Sequence, residues 1–147
     1  TSTFNVHELR RRVHSLVRNA DEAEAMLVRL ESFGFKHGAP READYLFDVR
    51  FLPNPFFVTG LREGRGTDEE VADFVLKHPD TPELLQHLVG LIDFALPRAE
   101  RDGRGQVTIA VGCTGGHHRS VAVVEKLKEH LMNSRWRVTV IHRDIER

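Results

Sequence analysis

Between Cys113 and Ser120 the chain reads Cys-Thr-Gly-Gly-His-His-Arg-Ser. Every residue here except two glycines has a polar or reactive side chain, and the chemistry they suggest is anion binding. Gly115 and Gly116 permit positive φ and close approach of backbone to a ligand. Arg119 can give a forked, charge-assisted pair of hydrogen bonds to a phosphate or carboxylate. Thr114 and Ser120 offer hydroxyl donors. His117 and His118 offer ring N–H groups that protonation would strengthen. Cys113 adds a thiol, whose thiolate is nucleophilic where a helix start and an arginine lower its pKa. Metal binding is the poorer reading of Cys113, His117 and His118, because the histidines are adjacent and neither a second cysteine nor an HxxxH spacing accompanies them. We expect no metal and no cofactor.

Such a loop has to be held by regular elements. Val107–Val111 is short, apolar and mostly β-branched, which suits a strand covered on both faces. Arg119 and Ser120 open a helix whose apolar stripe is Val121, Val124, Leu127 and Leu131. The unpaired N–H groups of its first turn would face the loop, where the helix dipole favours negative charge. Asn133-Ser134 ends that helix, and Arg137–His142 reads as a final strand. The order strand, loop, helix, strand predicts a right-handed parallel crossover.

Upstream, Met26–Glu31 alternates as a strand and runs into Ser32–Gly38. Lys36 and His37 then sit just past a strand end, where ligands lie in open α/β sheets. Tyr45–Phe51 predicts a second strand with Asp48 and Arg50 on one face. Charges there need partners. They can pair with each other or with Arg119, or they can meet a ligand, Asp48 taking its hydroxyl or amine groups and Arg50 its anion. Asn54, stiffened between Pro53 and Pro55, can present its amide. The predicted pocket thus has a floor from Cys113 to Ser120 and walls of Lys36, His37, Asp48, Arg50 and Asn54. On this reading Arg119→Ala abolishes anion binding with little effect on the fold.

The remaining segments read as scaffold. Val6–Arg18 predicts a helix with a basic face, taken as solvated. Residues 56–66 form an irregular Gly- and Arg-rich segment. Thr67 with Glu70 fits a capping box for a helix through Leu76. Thr81 with Pro82 fits the start of the next helix, in which Pro97 predicts a kink or an end. The mixed-charge tail, residues 142–147, is expected to fray. The fold class is α/β, a small mostly parallel sheet flanked by helices.

The 147 residues hold 21 basic and 22 acidic side chains, a net charge of −1. Any nucleic-acid contact must therefore come from a local patch. No run is long enough for a membrane span, and no secretory signal is visible. A single cysteine fits a reducing cytoplasm.

The wording GCTGGHHRSV at 112–121, with SFGFKHG at Ser32–Gly38 and FDVRFLPNP at Phe47–Pro55, resembles the C-terminal domain of the RapZ (YvcJ-type) family of RNase adapter and nucleotide-binding proteins. Thr1-Ser2 and His7–Arg10 resemble the segment joining that family's two domains. The resemblance implies residues 1–18 as a connecting helix from an N-terminal nucleotide-binding domain, and 19–147 as a phosphosugar-binding domain. It implies sensing of glucosamine-6-phosphate through His37, Thr114, Gly115, His118 and Arg119, homo-oligomerisation, and binding of a small regulatory RNA for presentation to an RNase. Enterobacterial members carry a strongly basic tail and a lysine at the position of His117. Here the tail mixes Arg143 and Arg147 with Asp144 and Glu146, which predicts a weaker salt-dependent RNA term.

A second, local resemblance joins Cys113, Gly116, Arg119 and Ser120 to the phosphate loop of cysteine-dependent phosphatases. It implies Cys113 as nucleophile, Arg119 as phosphate clamp and Asp80 as general acid. Gly112 departs from that pattern, in which histidine commonly precedes the cysteine. The expectation carried forward is a binding domain rather than an enzyme.

Overall fold

Strands β1 (Leu27–Gly34) and β2 (Tyr45–Asp48) are linked through a single 3-10 turn at Phe35–His37. Helices α1 (Glu69–Leu76) and α2 (Asp80–Arg101) follow, then strand β3 (Gln106–Cys113), helix α3 (Arg119–Leu131) and strand β4 (Arg137–His142). These elements belong to a computed structural model that describes residues 25–147 together with Val6 and residues 9–11. The helix expected over Val6–Arg18 otherwise lies outside the described residues.

All four strands are parallel, in the order β2-β3-β1-β4. The crossover through α3 from β3 to β4 steps over β1. Register brings three strand ends to one edge, with Gly34 opposite Cys113 and Asp48 opposite Gly112. That carboxyl edge is where ligands lie in open parallel sheets.

The core sits on one side of the sheet. Val28 and Leu30, Val107, Ile109 and Val111, and Val138 and Val140 share a face and join one apolar cluster with Val75, Leu88, Ile92, Leu96 and Leu127 of the helices. Truncating a fully buried member such as Leu96 would cost ~2–5 kcal/mol. Among the described residues, no helix joins a core on the opposite face. Residues Thr108 and Ala110 are buried there, as expected. Asp44 accepts the Thr108 N–H at 2.8 Å and pairs with Arg104 at 2.7 Å. Farther out, β4 alternates exposed and half-buried residues.

Several boundaries differ from the sequence reading. β1 continues to Gly34. β2 stops at Asp48, because the Arg50 N–H turns back to the Asp48 carboxylate at 2.9 Å instead of joining the ladder. The Thr67–Glu70 capping box does not form. Helix α1 starts after Asp68, whose carboxylate accepts the Arg65 N–H at 2.7 Å. Thr81 is no cap either. It lies inside the first turn of α2, and its buried hydroxyl donates to the Val75 carbonyl at 2.6 Å, tying α2 to the end of α1. Pro97 does not end α2, which runs on to Arg101. Among the described residues no helix is long and apolar enough to cross a membrane.

Candidate functional site

The loop between β3 and α3 lies backbone on backbone against the end of β1. Gly116 has φ +82°, and a Cβ there would sit 2.7 Å from the Gly34 nitrogen. A Cβ on Gly34 would overlap the Gly115 backbone. Glycine is therefore required on both sides of this contact. The Lys36 N–H donates to the Thr114 carbonyl at 3.2 Å and draws the following turn over the loop. Helix α3 begins without a side-chain cap, so its first N–H groups face the loop as donors for an anion.

In front of this helix start is a cavity of about 320 Å³. It brings together Lys36, Asn54, Cys113, Thr114, Gly115, His117, His118 and Arg119, eight of the residues expected from sequence. His37, Asp48, Arg50, Gly116 and Ser120 do not line it.

Arg119 is 4% exposed and is engaged within the fold. Its Nη1 donates to the carbonyls of Arg50 and Leu52 at 2.6 and 3.2 Å, and Nη2 donates to the Thr114 hydroxyl at 3.2 Å. Its Nε is buried and has no partner. A guanidinium has five N–H donors, so the side chain can hold the 50–52 turn and still offer Nε–H to a ligand oxygen. Burial pulls its pKa below the usual arginine value, opposed by Cys113 and Asp48. The expectation that Arg119→Ala would spare the fold is corrected, because these carbonyls would lose their donor.

The two histidines differ from expectation as well. His118 Nε2 donates to the Arg62 carbonyl at 3.0 Å, and His117 Nε2 to the Arg147 carbonyl at 2.7 Å. Both rings tie chain segments to the loop, and in the neutral form each keeps Nδ1 as an acceptor. Burial is the main force lowering the His118 pKa, only partly opposed by the carbonyls of Arg62 and Gly64. Burial thus favours the neutral ring of His118, which is suited to accept from a hydroxyl or amine.

Asn54 turns its side-chain oxygen to the Phe56 N–H at 3.1 Å and caps the short turn Pro55–Phe57, which leaves its NH₂ for a ligand. Asp48 and Arg50 adopt the structural alternative. They form a forked pair with distances of 2.6–3.1 Å at the surface, and Arg50 covers the Phe35 ring at 4.0 Å. That hydrogen bonding is the main cause holding the Asp48 pKa below the usual carboxylate value.

Cys113 is 2% exposed, and its sulfur lies 3.1 Å from the Ser120 hydroxyl. Ser120 is buried and does not line the cavity. Asp80 is not among the residues at the cavity and sits 3.8 Å from His78. The phosphatase constellation of nucleophile and general acid is thus not assembled.

The tail does not fray. Asp144 is fully buried, accepts the Gly34 N–H at 2.8 Å, and pairs with Arg143 and Arg147 at 2.7 and 3.3 Å. Arg65 donates to the Ile145 carbonyl at 2.6 Å. His37 belongs to this rear side, where its charge acts on Asp144 while its own Nε2 is buried and unpartnered. Sequence reasoning also missed Phe56 and Phe57 in the cavity wall. Adjacent aromatics in an otherwise Gly- and Arg-rich loop were the available signal.

Fold and site define a parallel α/β domain with helices on one face and a strand–loop–helix unit at the carboxyl edge. The family model described as the RapZ C-terminal domain matches residues 26–146, and the chain belongs to that family. It is 47% identical over 147 residues to a nucleotide-binding protein of Caldicellulosiruptor bescii, covering 100% of this chain and 50% of that one. A nucleotide-binding protein of Geobacter sulfurreducens is 44% identical over 147 residues, covering 100% and 52%. A nucleotide-binding protein of Corynebacterium glutamicum is 48% identical over 148 residues, covering 100% and 48%. The chain spans about half the length of these curated relatives.

Proposed function

We propose that this domain is a metabolite sensor that binds a phosphorylated amino sugar, of the glucosamine-6-phosphate type, and does not turn it over. The observation that carries this reading is the buried Arg119 guanidinium, whose Nε has no hydrogen-bond partner, beside an uncapped helix start in the lining of a cavity. An oxyanion completes both groups at once. At about 320 Å³ the cavity is near the small end of the ~300–1,000 Å³ typical of ligand pockets. Lys36 adds a cation at the rim, and the Asn54 NH₂ and Thr114 hydroxyl add polar contacts. The His118 ring, whose charged form burial disfavours, is suited to a hydroxyl or amine, which is why a sugar phosphate fits better than a bare anion. Cys113 packs and does not attack.

In the longer protein, residues 1–18 would connect to a nucleotide-binding domain. Occupancy of the cavity would be passed to partners: a small regulatory RNA, an RNase and further copies of the chain, in the cytoplasm. The names of the relatives support the nucleotide-binding partner domain.

The test is calorimetric titration with glucosamine-6-phosphate, glucose-6-phosphate and inorganic phosphate, using the wild type, Lys36→Ala and Thr114→Val. Both variants change exposed side chains and should fold. Selective binding of the amino sugar phosphate, weakened about 5- to 30-fold in each variant, is expected for the loss of one charged or polar contact. Equal weak binding of all three ligands would reduce the site to a generic anion loop, and phosphate release from either ester would restore the enzyme reading.

A further inference from the structure

The outer wall of the cavity is an arch that three consecutive loop residues hold in place. Arg119 grips its start through the Arg50 and Leu52 carbonyls. His118 holds its far limb at the Arg62 carbonyl, and the His117 carbonyl accepts the Gly66 N–H at 2.7 Å. Between these anchors the apex carries Phe56 and Phe57.

The two rings are supported differently. Phe56 is braced from behind: the Arg62 guanidinium lies 4.8 Å from its ring centroid and donates to its carbonyl at 2.8 Å. Phe57 packs edge-to-face on Phe56 with centroids 5.5 Å apart, yet remains 77% exposed. A phenyl ring held open to water beside a cavity gains most when a ligand covers it. Lys36, Thr114 and Arg119 give the same cavity a polar and cationic lining. The cavity therefore asks for a ligand that is an anion at one end and a ring with an apolar face at the other.

We infer that Phe56 and Phe57 form an aromatic platform that selects a ring-bearing phosphomonoester over a bare anion, Phe57 covering the ring and Phe56 fixing its angle. This rests on the phosphosugar reading of the same cavity. A pyranose C–H face and a nucleobase both satisfy the wall, and the probes distinguish them.

The experiment compares wild type, Phe57→Ala and Phe57→Tyr in titrations with glucosamine-6-phosphate, AMP and inorganic phosphate, with thermal unfolding recorded for each. Because Phe57 is exposed, its variants should unfold with the wild type. The expected result is an affinity ratio of glucosamine-6-phosphate to inorganic phosphate that falls about tenfold in Phe57→Ala and returns in Phe57→Tyr. An unchanged ratio in Phe57→Ala overturns the platform. Equal wild-type affinity for all three probes also overturns it, while leaving an anion loop. Preference for AMP with the same dependence on Phe57 upholds the platform and removes the sugar reading instead.

Discussion

At the scale of residues, one guanidinium links the site to the fold. Arg119 holds two carbonyls of the chain leaving β2 and one hydroxyl of the loop, and keeps one buried donor without a partner. Removing a charged donor from buried carbonyls costs ~2–4 kcal/mol. Arg119→Ala should therefore lower stability by that amount in urea unfolding at neutral pH, as well as losing ligand. Arg119→Lys should recover little of it, since one ammonium cannot reproduce the planar fork. An Arg119→Ala protein as stable as wild type would mean that the arch is held by other contacts. Most of this site was legible as residue types, because glycine, arginine and hydroxyl density in a strand-to-helix loop has few other uses. The use made of each side chain was not legible. Whether His118 faces a ligand or the Arg62 carbonyl depends on a segment 56 residues away.

At the scale of elements, the tail after β4 is a brace behind the loop. Asp144 lies beside Gly34 and Gly116, and burial alone would raise its pKa. Hydrogen bonds from Arg143 and the Gly34 N–H, with the charges of Arg143 and His37, overcome this and hold it below the ordinary carboxylate value of 3.8. A carboxylate lowered in the folded state stabilises fully above its unfolded pKa, and loses that contribution as pH falls through the folded one. Asp144→Asn should thus cost ~1–3 kcal/mol near neutral pH. The gap to wild type should narrow steadily below about pH 4. Unfolding curves across that range test this, and a gap constant with pH would remove the charge from the account. The sequence reading took the tail for a fraying end because its charges alternate. In the fold that alternation places Arg143 and Arg147 on either side of one buried carboxylate.

At the scale of the whole molecule, the helices among the described residues cover one face of the sheet, whereas parallel sheets usually bury both. Leu46 and Ile141 stand on the open side at 41% and 37% exposure. An apolar pair on an open sheet face predicts self-association through it. Sedimentation velocity should find wild-type protein self-associated, and Leu46→Glu with Ile141→Glu should shift it towards monomer. A monomeric wild type would remove this reading of the face.

Sequence alone determined the fold class, the strands at 107–111 and 137–142 and the helix from Arg119. These follow from local periodicity and from residue types whose uses are few. Only the tertiary structure decided that β2 ends at Asp48, that Asp48 and Arg50 pair with each other, that Asp80 stays away from Cys113, and that Phe56 and Phe57 complete the cavity. Each of those outcomes depends on which donor finds which acceptor across long stretches of chain. Buried polar groups must be satisfied by whatever packing brings near, and that is a property of the whole assembly of elements.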